Sequence, residues 1–313
     1  MLDIVKRRYW YFGISLLIIV PGLIALILWG LPLAIDFTGG TLVEVRFDQP
    51  TQAVTAEAIT AAYAAHDSPD TIIQNSTNNV FVVRSRTLDA ETQAAILADL
   101  QAQFGPVTVL SAETVGPSVG AEIAQSAGLA VAAAAVGVLL YIAYAFRGAG
   151  AQHAFRYGVA AIIAMLHDVL VVVGSAAIFG KVFGWEVDAL FLTALLTVVG
   201  FSVHDTIVVF DRIRENLVVY RRLDYETVVN HSIVQTLDRS INTQLTVMFT
   251  LLALTLFGGV TIRHFVLTLL IGVFSGTYSS IFNAAQLLVV WENREWTTWF
   301  RRKPTKPAKP ATA

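Results

Sequence analysis

Six stretches of this chain are apolar over a length that can cross a lipid bilayer, which takes about 20 residues. Tyr9–Ile35, Gly128–Phe146, Ser240–Ile262 and His264–Trp291 contain no charged residue. Tyr157–Gly180 contains one, Asp168, and Ala189–Phe210 contains one, Asp205. A chain with this pattern must satisfy its backbone inside helices where no water is available. Composition agrees: 14% of residues are charged, against roughly 25% in soluble domains, and mean hydropathy is +0.63. The first span is too long for a cleaved signal peptide, and no small-residue cleavage site follows it. There is no cysteine, so disulfides and thiolate metal sites are excluded.

Lysine and arginine placement sets the expected orientation. With the N-terminus inside, the inner segments hold Lys6, Arg7 and Arg8; Arg147 and Arg156; Arg212, Arg214, Arg221, Arg222 and Arg239; and Arg294, Arg301, Arg302, Lys303, Lys306 and Lys309. The two short outer loops hold only Lys181 and Arg263. Both termini are therefore expected in the cytoplasm, with residues 1–35 forming the N-terminal end and first span. Residues 36–127 form an outer domain with its connectors, 128–291 a five-helix membrane domain, and 292–313 a basic tail. That tail is Pro-rich and expected to be solvated.

The outer segment reads as a small α/β domain. "TLVEVRF" alternates and is rich in strand formers, as are the two halves of "TIIQNSTNNVFVVRSR" around the turn residues Ser76–Asn79. "TAEAITAAYAAH" begins at a Thr N-cap, and "DAETQAAILADLQAQF" begins at Asp89 and stops at Gly105-Pro106. With "VTVLSAETV" as a last strand the order is β-α-β-β-α-β, a ferredoxin-like arrangement. Nothing in it suggests a metal cluster or a hydrolytic triad. A binding or contact role is the plain expectation, because this fold hosts many functions.

The chemistry-bearing residues lie in the membrane. A carboxylate at a helix centre costs about 2.5–3.5 kcal/mol on insertion scales. Asp205 lies about 9 Å from the inner end of its span at 1.5 Å per residue, flanked by Ser202 and His204. Asp168 lies near the midplane with His167 beside it. Such acids mark ion paths or hold helices together as neutral hydrogen-bonded groups. Arg239, Asn242, Thr243, Thr246 and Thr250 recur at spacings of three and four, so they share one face of the fifth span. Arg239 enters at a depth like that of Asp205, where pairing with it or snorkelling to headgroups are both open. Residues 211–238 mix charged and apolar positions and are expected to form an amphipathic surface helix. The nearest thing to a P-loop, "GSAAIFGKV", has the wrong spacing and a Val at its last position, so direct nucleotide hydrolysis is not expected and the chain is not expected to be an enzyme.

Four motifs in order, "IDFTGGT" (Ile35–Thr41), "MLHDV" (Met165–Val169), "GFSVHDTIVVFDRIREN" (Gly200–Asn216) and "RSINTQLT" (Arg239–Thr246), resemble the SecF family over nearly the whole chain. SecF is the smaller membrane subunit of the bacterial SecDF protein-export complex. Val-His-Asp-Thr in the third motif separates the chain from SecD, and Gln244 stands where a small residue is common. The resemblance implies a relative of the resistance-nodulation-division transporters that pairs with SecD, acts with the SecYEG channel in the bacterial inner membrane, and helps draw preproteins across. It implies no cofactor and no nucleic-acid partner, with a proton gradient, or sodium in some bacteria, as the energy source. Asp205 and Arg239 match positions linked to proton use, and Asp168 is linked more weakly. Asp36, Gly39 and Gly40 would form the connector to the outer domain. A small-solute exporter of the same superfamily and a passive membrane scaffold are the competing readings, the exporter disfavoured because six spans with one outer domain are half of its usual size.

Overall fold

The computed structural model describes residues 2–75, 79–147 and 151–296. The basic tail from residue 297 on, and Ser76, Thr77 and Asn78 of the expected turn, lie outside the described residues. Among the described residues, six helices are long and apolar enough to cross a membrane: Val5–Trp29, Pro117–Ala145, Ala154–Phe183, Ala189–Val219, Tyr225–Phe257 and Ile262–Glu292. The chain divides into two compact units, one of Met1–Ile24, Ala135–Gly174 and Ala194–Ala313, the other of Ala25–Ala134 and Ser175–Thr193.

The first helix is α1 (Arg8–Trp29), preceded by a 3-10 turn at Val5–Arg7. Pro21 sits inside α1, which a spanning helix tolerates better than a soluble one. A short helix α2 (Ile35–Thr38) then turns the chain into strand β1 (Gly40–Phe47). Gly39 at φ +71° and Gly40 at φ +137° make that turn. A Cβ on Gly40 would stand 2.7 Å from the Ser85 carbonyl oxygen, and one on Gly39 2.9 Å from Pro117 Cα. Both positions therefore require glycine for conformation and for space. Asp36 accepts from the Ala189 N–H at 2.9 Å.

The rest of the α/β domain is α3 (Ala56–Ala64), β2 (Ile72–Asn75), β3 (Val80–Ser85), α4 (Ala90–Phe104) and β4 (Val107–Val115). Thr55 and Asp89 cap α3 and α4 through the N–H groups of Ala58 and Thr92. The sheet order is β2-β3-β1-β4 and every pair is antiparallel, which is the ferredoxin-like topology. Alternation along β1 sends Val43, Val45 and Phe47 into a core with Ile59, Tyr63, Phe81, Ile96, Leu100 and Phe104. Arg84 on the other face of β3 reaches the Leu33 carbonyl at 2.8 Å, Thr38 Oγ1 at 2.6 Å and Glu186 at 3.1 Å.

The remaining helices are α5 (Pro117–Ala145), α6 (Ala151–Phe183), α7 (Ala189–Val219), α8 (Tyr225–Phe257), α9 (Val260–Ser279), a π turn at Ser280–Ala284, and α10 (Ala285–Glu292). The expected surface helix within residues 211–238 is not separate. α7 runs on through "DRIRENLVV", supported by Arg214–Asp211 and Arg212–Glu215 pairs at i, i+3, and α8 starts at its Asp224 cap. Helix continues here because no Gly or Pro interrupts either segment. The bundle core joins Ile142, Phe146, Tyr157, Phe210, Ile213 and Ile233.

Candidate functional site

Two buried carboxylates sit in the helical unit, and they are dressed differently. Asp168, on α6, is 0% exposed. Its Oδ1 accepts from Ser275 Oγ at 2.6 Å and faces His167 Nδ1 at 3.0 Å. Its Oδ2 accepts from Ser202 Oγ at 2.5 Å and Ser279 Oγ at 2.7 Å. One carboxylate thereby ties α6 to α7 and α9. A glycine makes the approach possible: a Cβ on Gly276 would stand 3.3 Å from Ser202 Cα and 3.7 Å from Asp168 Oδ2. The network extends to α1, because His167 Nε2 lies 3.0 Å from Ser15 Oγ, which accepts from Asn283 Nδ2 at 2.7 Å. Asn283 projects from the π turn, a feature that often marks functional sites.

Asp205, on α7, is 3% exposed and has one hydrogen-bond donor, Gln244 Nε2 of α8 at 2.6 Å. The other end of that amide, Gln244 Oε1, is buried and makes no hydrogen bond among the described residues. The next residue on α7, Thr206, turns to Ser280 at 2.8 Å and to the Ser202 carbonyl at 3.0 Å.

The expected residues are thus sorted into two groups. Ser202 belongs to Asp168 rather than to Asp205, and His167 meets Asp168, its neighbour in sequence. His204 is exposed, as are Arg239, Asn242, Thr243 and Thr246. Their shared face on α8 is real, but it turns outward and is distinct from the face that carries Gln244 to Asp205. Arg239 forms no ion pair with Asp205 among the described residues; the group in contact is Gln244. Three threonines of the stripe return their hydroxyls to their own helix, Thr243 to the Arg239 carbonyl at 2.9 Å, Thr246 to that of Thr243 at 2.7 Å and Thr250 to that of Thr246 at 3.0 Å. An outward polar face on a spanning helix is unfavourable against lipid. Among the described residues no cluster of three or more His, Asp or Glu could hold a metal ion.

Residues 95–294 match the family model described as protein export membrane protein SecD/SecF, C-terminal, and residues 30–51 match the SecD/SecF GG motif. The protein translocase subunit SecF of Anaerolinea thermophila is 54% identical over the full length of both chains. The chain belongs to the SecF family. A further relative, the protein translocase subunit SecDF of Bacillus subtilis, is 34% identical over 94% of this SecF chain and 38% of its own length. The crystal structure of SecDF from Thermus thermophilus, titled a translocon-associated membrane protein, superposes with a TM-score of 0.81 at 34% identity. That match covers 94% of this chain and 39% of the other, so this SecF chain spans well under half of the fused proteins. Six spans and this family make it a multi-pass membrane protein.

Gly39 and Gly40 fall inside the matched GG segment, and their positive φ and close contacts give the motif its physical reason. Sequence reasoning missed Ser275, Ser279, Ser15 and Asn283 as site residues. The signal was present: Ser275 and Ser279 are four apart in a charge-free span, and small hydroxyls there commonly bond across helices. The sequence marks Gln244 as a departure but not as a partner, because no helix-wheel argument says which face of α8 meets α7.

Proposed function

We propose that this SecF-family chain pairs with a SecD-type subunit and couples a transmembrane proton gradient to preprotein movement through the Sec channel. The observation that carries this reading is the state of Asp205, a buried carboxylate with one donor, facing an amide whose second polar atom is free. When Asp205 is ionised it accepts from Gln244 Nε2 and leaves Gln244 Oε1 unused. When it is protonated, its O–H is a donor, and an acid and a primary amide can close a two-bond ring in which that O–H meets Oε1. The α7–α8 contact therefore has one bond in one state and two in the other. A group with such a difference biases the packing of its two helices as the proton comes and goes. Each charge moved is worth about 2.3 kcal/mol per 100 mV, enough to drive such a bias.

Two further observations support the reading. The fused SecDF relatives carry a region like this chain within a longer polypeptide, which favours a SecD-type partner beside it. The exposed Arg239, Asn242, Thr243 and Thr246 face of α8 needs polar company, and a partner's spans supply it better than lipid. Arg239 then acts on Asp205 through the assembled interface rather than by direct contact. Asp168 belongs to the same coupling machinery. The lysine and arginine bias puts both termini in the cytoplasm and the α/β domain outside, where it meets the emerging chain. In this reading the subunit catalyses no covalent reaction, takes no cofactor and uses H⁺ rather than Na⁺.

The test is preprotein release from membrane vesicles with and without an imposed proton gradient. Asp205→Asn keeps the bond from Gln244 but cannot titrate. The complex should assemble with its partner and lose the gradient-dependent increment. A variant that assembles and keeps the full increment would favour a passive scaffold.

A further inference from the structure

The hydrogen bonds around His167 assign it and Asp168 different parts. An ionised carboxylate accepts only, at about four lone-pair sites. Asp168 meets three serine hydroxyls and one imidazole nitrogen, two at each oxygen. All four can donate together only to an ionised carboxylate; an acid O–H there would make His167 Nδ1 or one serine oxygen accept instead. With Asp168 ionised, His167 Nδ1 is the donor. The other nitrogen, Nε2, faces Ser15 Oγ at 3.0 Å, and one lone pair of that oxygen is already taken by Asn283 Nδ2 at 2.7 Å. A serine hydroxyl has one donor and two acceptor positions. Neutral imidazole can therefore receive the Ser15 O–H at Nε2, and imidazolium can donate Nε2–H to the second lone pair of Ser15. One hydroxyl rotation satisfies both.

We infer that His167 is a proton-holding site, with Asp168 as its fixed counter-charge and Ser15 as the hydroxyl that reverses direction. The inference rests on the gradient-coupled reading and adds to it a second proton, separate from that of Asp205. The step is simple. Hydronium gives a proton to Nε2: its O–H bond breaks, one N–H bond forms, water is left, and the His167–Asp168 pair passes from charge −1 to 0; release to water regenerates hydronium. The groups that face His167 are Ser15 from α1, Asp168 from its own helix, Ser275 and Tyr278 from α9, and Met248 from α8 across a cavity of about 560 Å3. Asp168 carries the one charge among them. Tyr278 stacks on the imidazole with centroids 6.3 Å apart and donates its O–H to the Tyr11 carbonyl; its oxygen also hydrogen-bonds with Ser15, so it can receive the Ser15 O–H when Nε2 is protonated.

The experiment is nitrogen NMR of histidine-labelled protein, assembled with its SecD-type partner in bilayers, across the pH range in which the complex stays folded. The chain has six histidines, and the His167 signal is the one lost in His167→Gln. In the unaltered complex this signal should convert from one neutral tautomer, protonated at Nδ1, to imidazolium as pH falls. In Asp168→Asn the conversion should be lost. Should that variant fail to fold, Ser15→Ala serves, because it removes the Ser15 oxygen that imidazolium Nε2–H would donate to; conversion should again be lost. A His167 signal that stays in one neutral tautomer throughout overturns the inference. Conversion undiminished in Ser15→Ala overturns the part given to Ser15. Neither outcome depends on export, so failure here is distinct from failure of the Asp205 test.

Discussion

Asp168 and Asp205 are both carboxylates buried in spanning helices, yet among the described residues one has four hydrogen-bond partners and the other has one. Asp168 joins three helices and, through His167, a fourth. Asp205 joins two. The difference teaches that burial of an acid does not define its use. A carboxylate with four partners is a structural knot, and its surroundings cannot exchange a partner without losing one. A carboxylate with a single donor, beside an amide with a free oxygen, can change state at low cost. In three dimensions the expected coupling residues fall into two groups of hydrogen-bond partners, one around each acid.

The sharpest way to break this comparison is to remove each acid in turn. Asp168→Ala leaves three hydroxyls and an imidazole N–H around a small void. Membrane hydrogen bonds average about 0.6 kcal/mol each, while breaking a buried charged network costs up to about 3–5 kcal/mol. The variant should lose about 2–5 kcal/mol, read as a large fall in thermal stability of the detergent-solubilised protein and in its level in membranes. A small loss would show that the four contacts are weak and that Asp168 is no knot.

The second test acts on the same network from a distance. α1 and α6 run parallel, and the Ser15–His167 contact is repeated one heptad on by Gly22 and Gly174. A Cβ on Gly174 would stand 2.8 Å from Gly22 Cα, so Gly174→Val must push the helices apart. Overpacking of this kind costs about 1–3 kcal/mol. Stability should fall by that amount and the His167–Ser15 contact should open, while Gly200→Ala, whose Cβ meets nothing within 4 Å, should be near neutral. Equal effects at the two glycines would remove the argument that close approach of α1 shapes the site.

How far all this is legible in the sequence depends on which physical signal is local. The six spans are legible because bilayer thickness imposes a run length on composition alone. The ferredoxin-like order is legible from alternation and caps: Thr55, Asp89 and Gly105 stand where the sequence predicts. The helix ends near residues 211–238 are not, because charged residues end a span without ending a helix. The site is half legible. Asp168 and Asp205 are conspicuous as lone charges. Which serine or amide meets which acid is set by helix rotation, and that depends on the whole bundle. So Ser202, three residues from Asp205 in sequence, belongs to Asp168, and Gln244, not Arg239, touches Asp205.

A third test removes the lightly held acid. Asp205→Leu deletes one hydrogen bond and leaves Gln244 unpaired, a loss of about 1 kcal/mol. It should fold and assemble, with thermal stability much closer to the unaltered protein than that of Asp168→Ala. A collapse comparable to Asp168→Ala would mean that donor count does not separate the two acids.

The smallest effect calibrates the scale in water. Asp224 caps α8, receiving the Thr227 N–H at 2.9 Å and the Thr227 hydroxyl at 2.8 Å, and it is exposed. The backbone N–H first, and the hydroxyl second, hold its carboxyl below the usual carboxylate range. A lowered native value means that the cap's ionic contribution is present above the unfolded carboxylate's ordinary value of about 3.9 and is lost as pH falls through the lower folded value. Asp224→Ala should cost about 0.5–1 kcal/mol near neutral pH, and its deficit relative to the unaltered protein should shrink as pH drops below about 4. Asp224→Asn keeps an N-cap oxygen and should lose the pH dependence while retaining most of the stability. With two donors Asp224 stands between Asp205 and Asp168 in count, yet its removal should cost no more than that of Asp205, because water replaces the lost partners. If Asp224→Ala instead costs as much as Asp168→Ala, donor count alone sets the penalty and burial in the bundle does not.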